Sequence, residues 1–118
     1  MTVIFNQRVE VLRAGLVKSP YSTATVEDWS NPQVIGVEFP VSVQPAGSTE
    51  SEVERPTVNS GWRLITPPGT DLDLRASDRI RIGGMLVMEV QGNPEKWPDP
   101  FRPGRVHHVE ASLGEVNG

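Results

Sequence analysis

The chain has no cysteine. Disulfide scaffolding and thiolate metal sites are therefore excluded, and the composition fits synthesis in a reducing cytoplasm. Lysine is nearly absent too, with only Lys18 and Lys96 against nine arginines. Net charge is −4. That sign argues against a dedicated nucleic-acid binder, which needs a basic surface to neutralise phosphates. No apolar run reaches the roughly 18 residues of a membrane span. The start, Met1-Thr2-Val3-Ile4-Phe5-Asn6-Gln7, lacks a basic segment followed by an apolar block, which argues against a secretory signal. Helical periodicity is almost missing as well, so helical fold classes are disfavoured.

What is present is turn chemistry. Eleven glycines and eleven prolines punctuate 118 residues of which only 36% are hydrophobic. Many short strands joined by turns are the expected result, in one domain over residues 1–118. Period-two alternation supports this. Ile35, Val37, Phe39, Val41 and Val43 would share one face of a strand, with Pro40 marking an edge or a bulge. Earlier strands are expected from Arg8 to Arg13, with Val9 and Val11 inward, and from Thr23 to Trp29. Gly61 to Thr66 reads as a strand stopped by Pro67-Pro68-Gly69. Asp71 to Ser77 is one helical turn or a wide loop. Arg79 to Ile82 and Met85 to Val90 flank Gly83-Gly84, the pattern of a two-residue hairpin. Arg105 to Leu113 reads as the last strand, with Gly114 to Gly118 a frayed tail. The fold class expected is all-β, a small barrel or sandwich of six or seven short antiparallel strands.

Two segments interrupt the pattern. Gln44 to Pro56 is polar and carries Glu50, Glu52 and Glu54, which share a face if extended. It reads as a long exposed loop, solvated in a monomer or forming an acidic collar in a ring. Gly92 to Gly104 holds Trp97 and Phe101 among four prolines. An extended, semi-rigid path is expected there, its aromatics folded over the barrel mouth or docked on a neighbour.

Chemistry-bearing constellations are scarce. His107 and His108 are adjacent, so on a regular strand they point to opposite faces and cannot chelate one ion together. One would lie under the aromatic segment and the other at the surface. A metal site would need Glu89 or Glu110 in addition. No Gly-x-Ser-x-Gly elbow occurs, and Gly83-Gly84 lacks the lysine and helix of a phosphate loop. Asp71 and Asp73 read most simply as solvated turn residues. Arg79 and Arg81 share a strand face, either a solvent face paired with Glu89 across the hairpin or one that forms an intersubunit or portal-side ion pair. The expectation is a protein that is not an enzyme, with no cofactor and no metal.

Several stretches carry a resemblance: Gly61-Trp62 with Thr66-Pro67-Pro68-Gly69, the run from Asp78 to Gly84, and Trp97-Pro98-Asp99-Pro100-Phe101 followed by Arg105-Val106-His107-His108-Val109. Over about Gln7 to Leu113 the chain resembles the β-barrel head-completion proteins of tailed phages, specifically the head-to-tail stopper of long-tailed phages of actinobacteria. The resemblance implies a structural virion protein made in the host cytoplasm. It implies a homo-oligomeric ring, hexamer or dodecamer, with the portal or adaptor above and the tail terminator or tail tube below. Packaged DNA would be touched only in the channel, and no membrane is involved. By that analogy Gln44, Glu50, Glu52 and Glu54 belong to a channel-closing loop, and Arg79, Arg81, Trp97 and Phe101 are candidates for the subunit interface. An adaptor or tail-terminator ring subunit is the next alternative, and a small β-barrel ligand-binding module follows. The first two favour helices that this sequence does not offer, and the third would want aromatics interleaved with basic residues on strands.

Overall fold

The computed structural model describes residues 3–21, 23–46 and 61–116. Seven strands form one antiparallel sheet: β1 Val9–Lys18, β2 Thr25–Gly36, β3 Ser42–Pro45, β4 Trp62–Ile65, β5 Arg79–Ile82, β6 Leu86–Pro98 and β7 Val106–Glu115. Their spatial order is β2-β1-β5-β6-β7-β4-β3. The all-β expectation holds, but the barrel does not close. The sheet curls until Gln7, just before β1, meets Val41, just before β3, in one isolated bridge. Its two backbone hydrogen bonds are each 2.9 Å long.

The core lies inside this curl. Ile35, Val11, Ile80 and Met88 stand opposite one another across β2, β1, β5 and β6, a row set by register. Val43, Leu64 and Ala111 form a second row across β3, β4 and β7. Directly opposed residues share a face, so each row presents one apolar surface. Leu72 and Leu74, from the loop joining β4 to β5, join the same buried cluster. That loop is the wide alternative for residues 71–77, since no helix occurs among the described residues.

Four local expectations need correction. The alternating run from Ile35 to Val43 is not one strand. Strand β2 ends at Gly36, residues 37–40 bend, and β3 begins at Ser42. Every second residue still turns inward, because Val41 is buried and Ile35, Val37, Phe39 and Val43 pack against the core. The β5–β6 turn spans three residues rather than two, since Ile82 pairs with Leu86. Gly83 and Gly84 do take positive φ, 61° and 75°. Gly114 and Glu115, expected to fray, complete β7.

The fourth correction concerns the proline-rich segment. Residues 92–98 are strand, the distal half of β6. Strand β5 pairs with β6 only from Leu86 to Glu89. Beyond that point β6 has β7 on one side alone, and its free edge tolerates Pro94 and Pro98. A bulge between Gln91 and Glu95 lets the strand bend as it leaves β5. Gly92 sits in that bulge at φ 76°, a region that costs a side-chain-bearing residue about 1–3 kcal/mol. Gly92→Ala is expected to lose stability in that range, although nothing within 4 Å would meet the added methyl group. A urea midpoint unchanged from the parent would show that the bulge relaxes without it.

Candidate interaction surface

The connection from β6 to β7 is built as a rigid tip. The Asp99 amide donates to the Arg105 carbonyl at 2.9 Å, closing the loop. Inside it, the Phe101 amide donates to Asp99 Oδ1 at 2.9 Å. The Arg105 amide donates to the Arg102 carbonyl at 3.1 Å across Pro103-Gly104, with Gly104 at φ 83°. Proline followed by a positive-φ glycine is the sequence requirement of that turn. Phe101 is presented on the tip with 91% of its surface exposed. Arg102 and Arg105 are exposed beside it, and among the described residues neither side chain has a hydrogen bond or ion pair. Trp97, by contrast, lies on β6 and stacks on His108, ring centroids 5.6 Å apart and planes 7° from parallel. So the two aromatics expected to act together do different jobs. Trp97 supports the tip, and Phe101 is offered outward.

Behind the tip runs a polar chain. The two histidines meet, contrary to the strand-alternation argument. Trp97 pairs with His108 and Pro98 with Val106, which leaves His107 as an extra residue in a bulge. The rings are then edge to face, with Nδ1 atoms 2.8 Å apart. His108 Nε2 lies 2.8 Å from Glu110 Oε2. The carboxylate can only accept, so Nε2 donates and the two Nδ1 atoms share one proton. Arg63, from β4, donates through Nη2 to Glu110 at 3.0 Å, bonds Glu95 as well, and reaches Ser112 through Nη1 at 2.9 Å. Partial burial works against the charge on Arg63, yet its bonds to Glu95 and Glu110 outweigh that and hold the guanidinium above its ordinary value. Partial burial likewise favours neutral Glu110. Hydrogen bonds from His108 and Arg63 outweigh it, so the carboxyl stays below the usual range.

A carboxyl lowered in the fold stabilises fully above its unfolded value, and that contribution fades as pH falls through the folded value. The window therefore lies below about pH 4.3, the ordinary glutamate value. Glu110→Gln is expected to flatten the loss of stability as pH falls below about 4.3, measured by urea unfolding at each pH. Parallel curves for parent and variant would remove Glu110 from the account.

A second surface lies on the other side of β5. Residues 29–32 of β2 stand opposite Ala14 alone, because register shifts between Arg13 and Gly15. This kink brings the Trp29 ring under Arg79, whose guanidinium carbon is 3.9 Å from the ring centroid. A favourable cation–π contact results. Around it opens a cleft of about 190 Å³ lined by Glu27, Trp29, Ala76, Ser77, Arg79 and Glu89, among others. Arg79 does face Glu89 across the hairpin in register, but its charge is given to Trp29. Arg81 pairs instead with Glu10 of β1, at 2.8 Å. The two arginines expected to act alike are thus both engaged within the chain. So are Asp71 and Asp73, expected to be merely solvated: Asp71 pairs with Lys96 and Asp73 with Arg13.

The remaining predicted residues divide. Gln44 lies on β3 opposite Arg63. Glu50, Glu52 and Glu54 lie outside the described residues. The segment that carries them is anchored at both ends, since Pro45 pairs with Trp62 and the Ala46 amide donates to the Gly61 carbonyl at 2.9 Å. Sequence reasoning missed the outer part of the β1–β2 hairpin. Beyond Leu12, β1 no longer pairs with β5, and Gly15 to Lys18 pair only with Thr25 to Asp28. This two-stranded arm exposes Leu16 by 70% and Tyr21 by 95%, with Val17 and Val26 also exposed. The strand expected from Arg8 to Arg13 stops short of Leu16 and Val17, and their exposure follows from where β5 stops pairing with β1, which the local sequence does not mark.

Among the described residues, no group of three or more histidine and carboxylate side chains is placed to hold a metal ion. No protein-family model and no curated protein matches this chain. It is similar in structure to protein SF1141 from Shigella flexneri 2a, known from its solution structure. The TM-score is 0.57 at 16% identity, over 94% of this chain and 92% of that one. At that identity the likeness establishes a shared fold.

Proposed function

We propose that this protein is a ring-forming structural subunit of the phage neck. It assembles below the portal or adaptor after DNA packaging, closes the DNA channel, and offers the surface to which the tail attaches. The observation that carries this reading is the uncovered β1–β2 arm. An isolated two-stranded hairpin is marginal in water, and here it holds Leu16, Val17, Val26 and Tyr21 in the open. Apolar surface of that kind marks a contact site. The rigid Phe101 tip gives a second contact site elsewhere on the molecule, as a head-to-tail ring requires of each subunit. The segment between β3 and β4 suits a channel loop by its length and polarity in the sequence, and the sheet fixes both its ends. Copies arranged around that axis would each contribute one loop to a common constriction. An adaptor or tail-terminator ring subunit would use the same contact surfaces and is the second reading.

Deleting the gene from its phage and imaging the lysate by electron microscopy tests the proposal. Tailless heads beside complete free tails are expected, and heads emptied of DNA would favour the channel plug over a tail-joining subunit alone. Normal tailed virions would overturn it and bring the ligand-binding module forward.

A further inference from the structure

The tip and the Trp29 cleft complement each other. The tip carries Phe101 and, after it in the chain, Arg102 and Arg105, two exposed arginines without an ion-pair partner among the described residues. The cleft offers an indole wall and two carboxylates, Glu27 and Glu89, that have no ion-pair partner among the described residues. The cleft and the tip lie on different elements, one at the β2–β5 side and the other at the far end of β6. We propose that the tip of one copy of this chain seats in the Trp29 cleft of the next copy. This rests on the ring reading and names the contact that would build the ring.

Three features support a second copy as the occupant. Charge is complementary: on the tip Arg102 and Arg105 outnumber Asp99, whose Oδ1 accepts from the Phe101 amide, and in the cleft Glu27 and Glu89 outnumber Arg79, which lies over Trp29. Like charges would penalise tip-to-tip and cleft-to-cleft pairing, so the contact is heterologous and propagates in one direction. The tip is held by its own backbone hydrogen bonds, so little ordering entropy is lost when Phe101 docks. In the contact, Arg102 and Arg105 meet Glu27 and Glu89 while Phe101 covers the Trp29 and Arg79 stack.

The lack of native cysteine makes a clean crosslinking test possible. A chain carrying Pro100→Cys and Ala76→Cys, oxidised in air, is expected to give a ladder of disulfide-linked oligomers on a non-reducing gel, where either single variant stops at dimer. On that background Arg102→Glu with Arg105→Glu should lower the ladder about tenfold or more, as should Glu27→Lys with Glu89→Lys. An equal mixture of the two reversed chains should restore it, since each reversed surface then finds its opposite. Circular dichroism of each variant confirms that the sheet is retained. No ladder up to millimolar protein, or a ladder indifferent to all four charge reversals, overturns the contact. So does a single-stranded DNA gel shift that vanishes with the arginine reversal while no ladder forms, which would make the tip a nucleic-acid contact. The ring reading fails separately. Normal virions from the gene deletion remove the neck role even if the ladder stands, and tailless particles without a ladder remove only this contact.

Discussion

Arg13→Ala is expected to destabilise the fold by about 3–5 kcal/mol, the usual cost of breaking a buried ion pair from one side. Asp78 is 1% exposed. Its carboxylate receives Arg13 Nε at 3.0 Å and Nη2 at 2.8 Å, and the Arg75 amide at 2.9 Å. Without Arg13 the carboxylate keeps one of its three hydrogen bonds, the one from the Arg75 amide. The bond to Asp78 is the main reason that the Arg13 guanidinium is held above its ordinary value. The converse change, Asp78→Ala, should cost less, because Arg13 is partly exposed and still has Asp73 at 3.7 Å. Arg13→Lys should recover only part, since an ammonium cannot make the forked pair. Replacing both members with apolar residues, Arg13→Met with Asp78→Leu, should cost less than Arg13→Ala alone. Urea unfolding of the four variants decides it. A loss below about 1 kcal/mol for Arg13→Ala would mean that the pair is screened like an exposed one.

The second large effect is expected at Ile80. Its side chain is 0% exposed and stands mid-row between Val11 of β1 and Met88 of β6. Both neighbours are fixed by backbone ladders, so neither strand can shift to fill a void. Ile80→Ala should therefore cost about 2–5 kcal/mol, and Ile80→Val about 0.5–1.5 kcal/mol. The ratio of the two is the informative quantity. If Ile80→Ala costs no more than Ile80→Val, the concave side collapses freely, and the row is not the rigid centre that its register implies.

Both sites show how far the sequence could be read. The alternation of Ile35, Val37, Phe39, Val41 and Val43 correctly marked what turns inward. It could not show the bend, because period two survives a corner when both arms face the same core. Gly83-Gly84 located a hairpin, and the third loop residue escaped notice because Met85 carries no turn signal. Prolines 94 and 98 suggested an interruption, since the rule against proline in a ladder concerns strands flanked on both sides. Whether β6 is flanked depends on where β5 ends, which is a tertiary fact. The His107–His108 contact was hidden for a related reason. Adjacent strand residues diverge unless a bulge intervenes, and this bulge is set by the pairing of Trp97 and Pro98 with β7. The partnership of Arg13 with Asp78 spans 65 positions, and a single sequence carries no mark of it. For the contact surfaces, the aromatic at position 101 was legible as an exposed candidate. Trp29 was not, because its place beside Arg79 depends on a kink opposite Ala14 that has no local signature.

The curl of the sheet has a seam. Each neighbouring pair of strands is joined over four residues or more, whereas among the described residues the chain entering β1 meets the chain entering β3 at a single bridge, where Gln7 exchanges hydrogen bonds with Val41. That bridge is expected to open as a cooperative unit separate from the ladders behind it. Its two amides should trade deuterium by local opening, well before those of Val11, Ile80 and Leu113. Opening of that latch alone would leave every ladder intact, and in the proposed ring such compliance would let identical subunits share strain evenly where a closed circle of them meets a neighbour of different diameter.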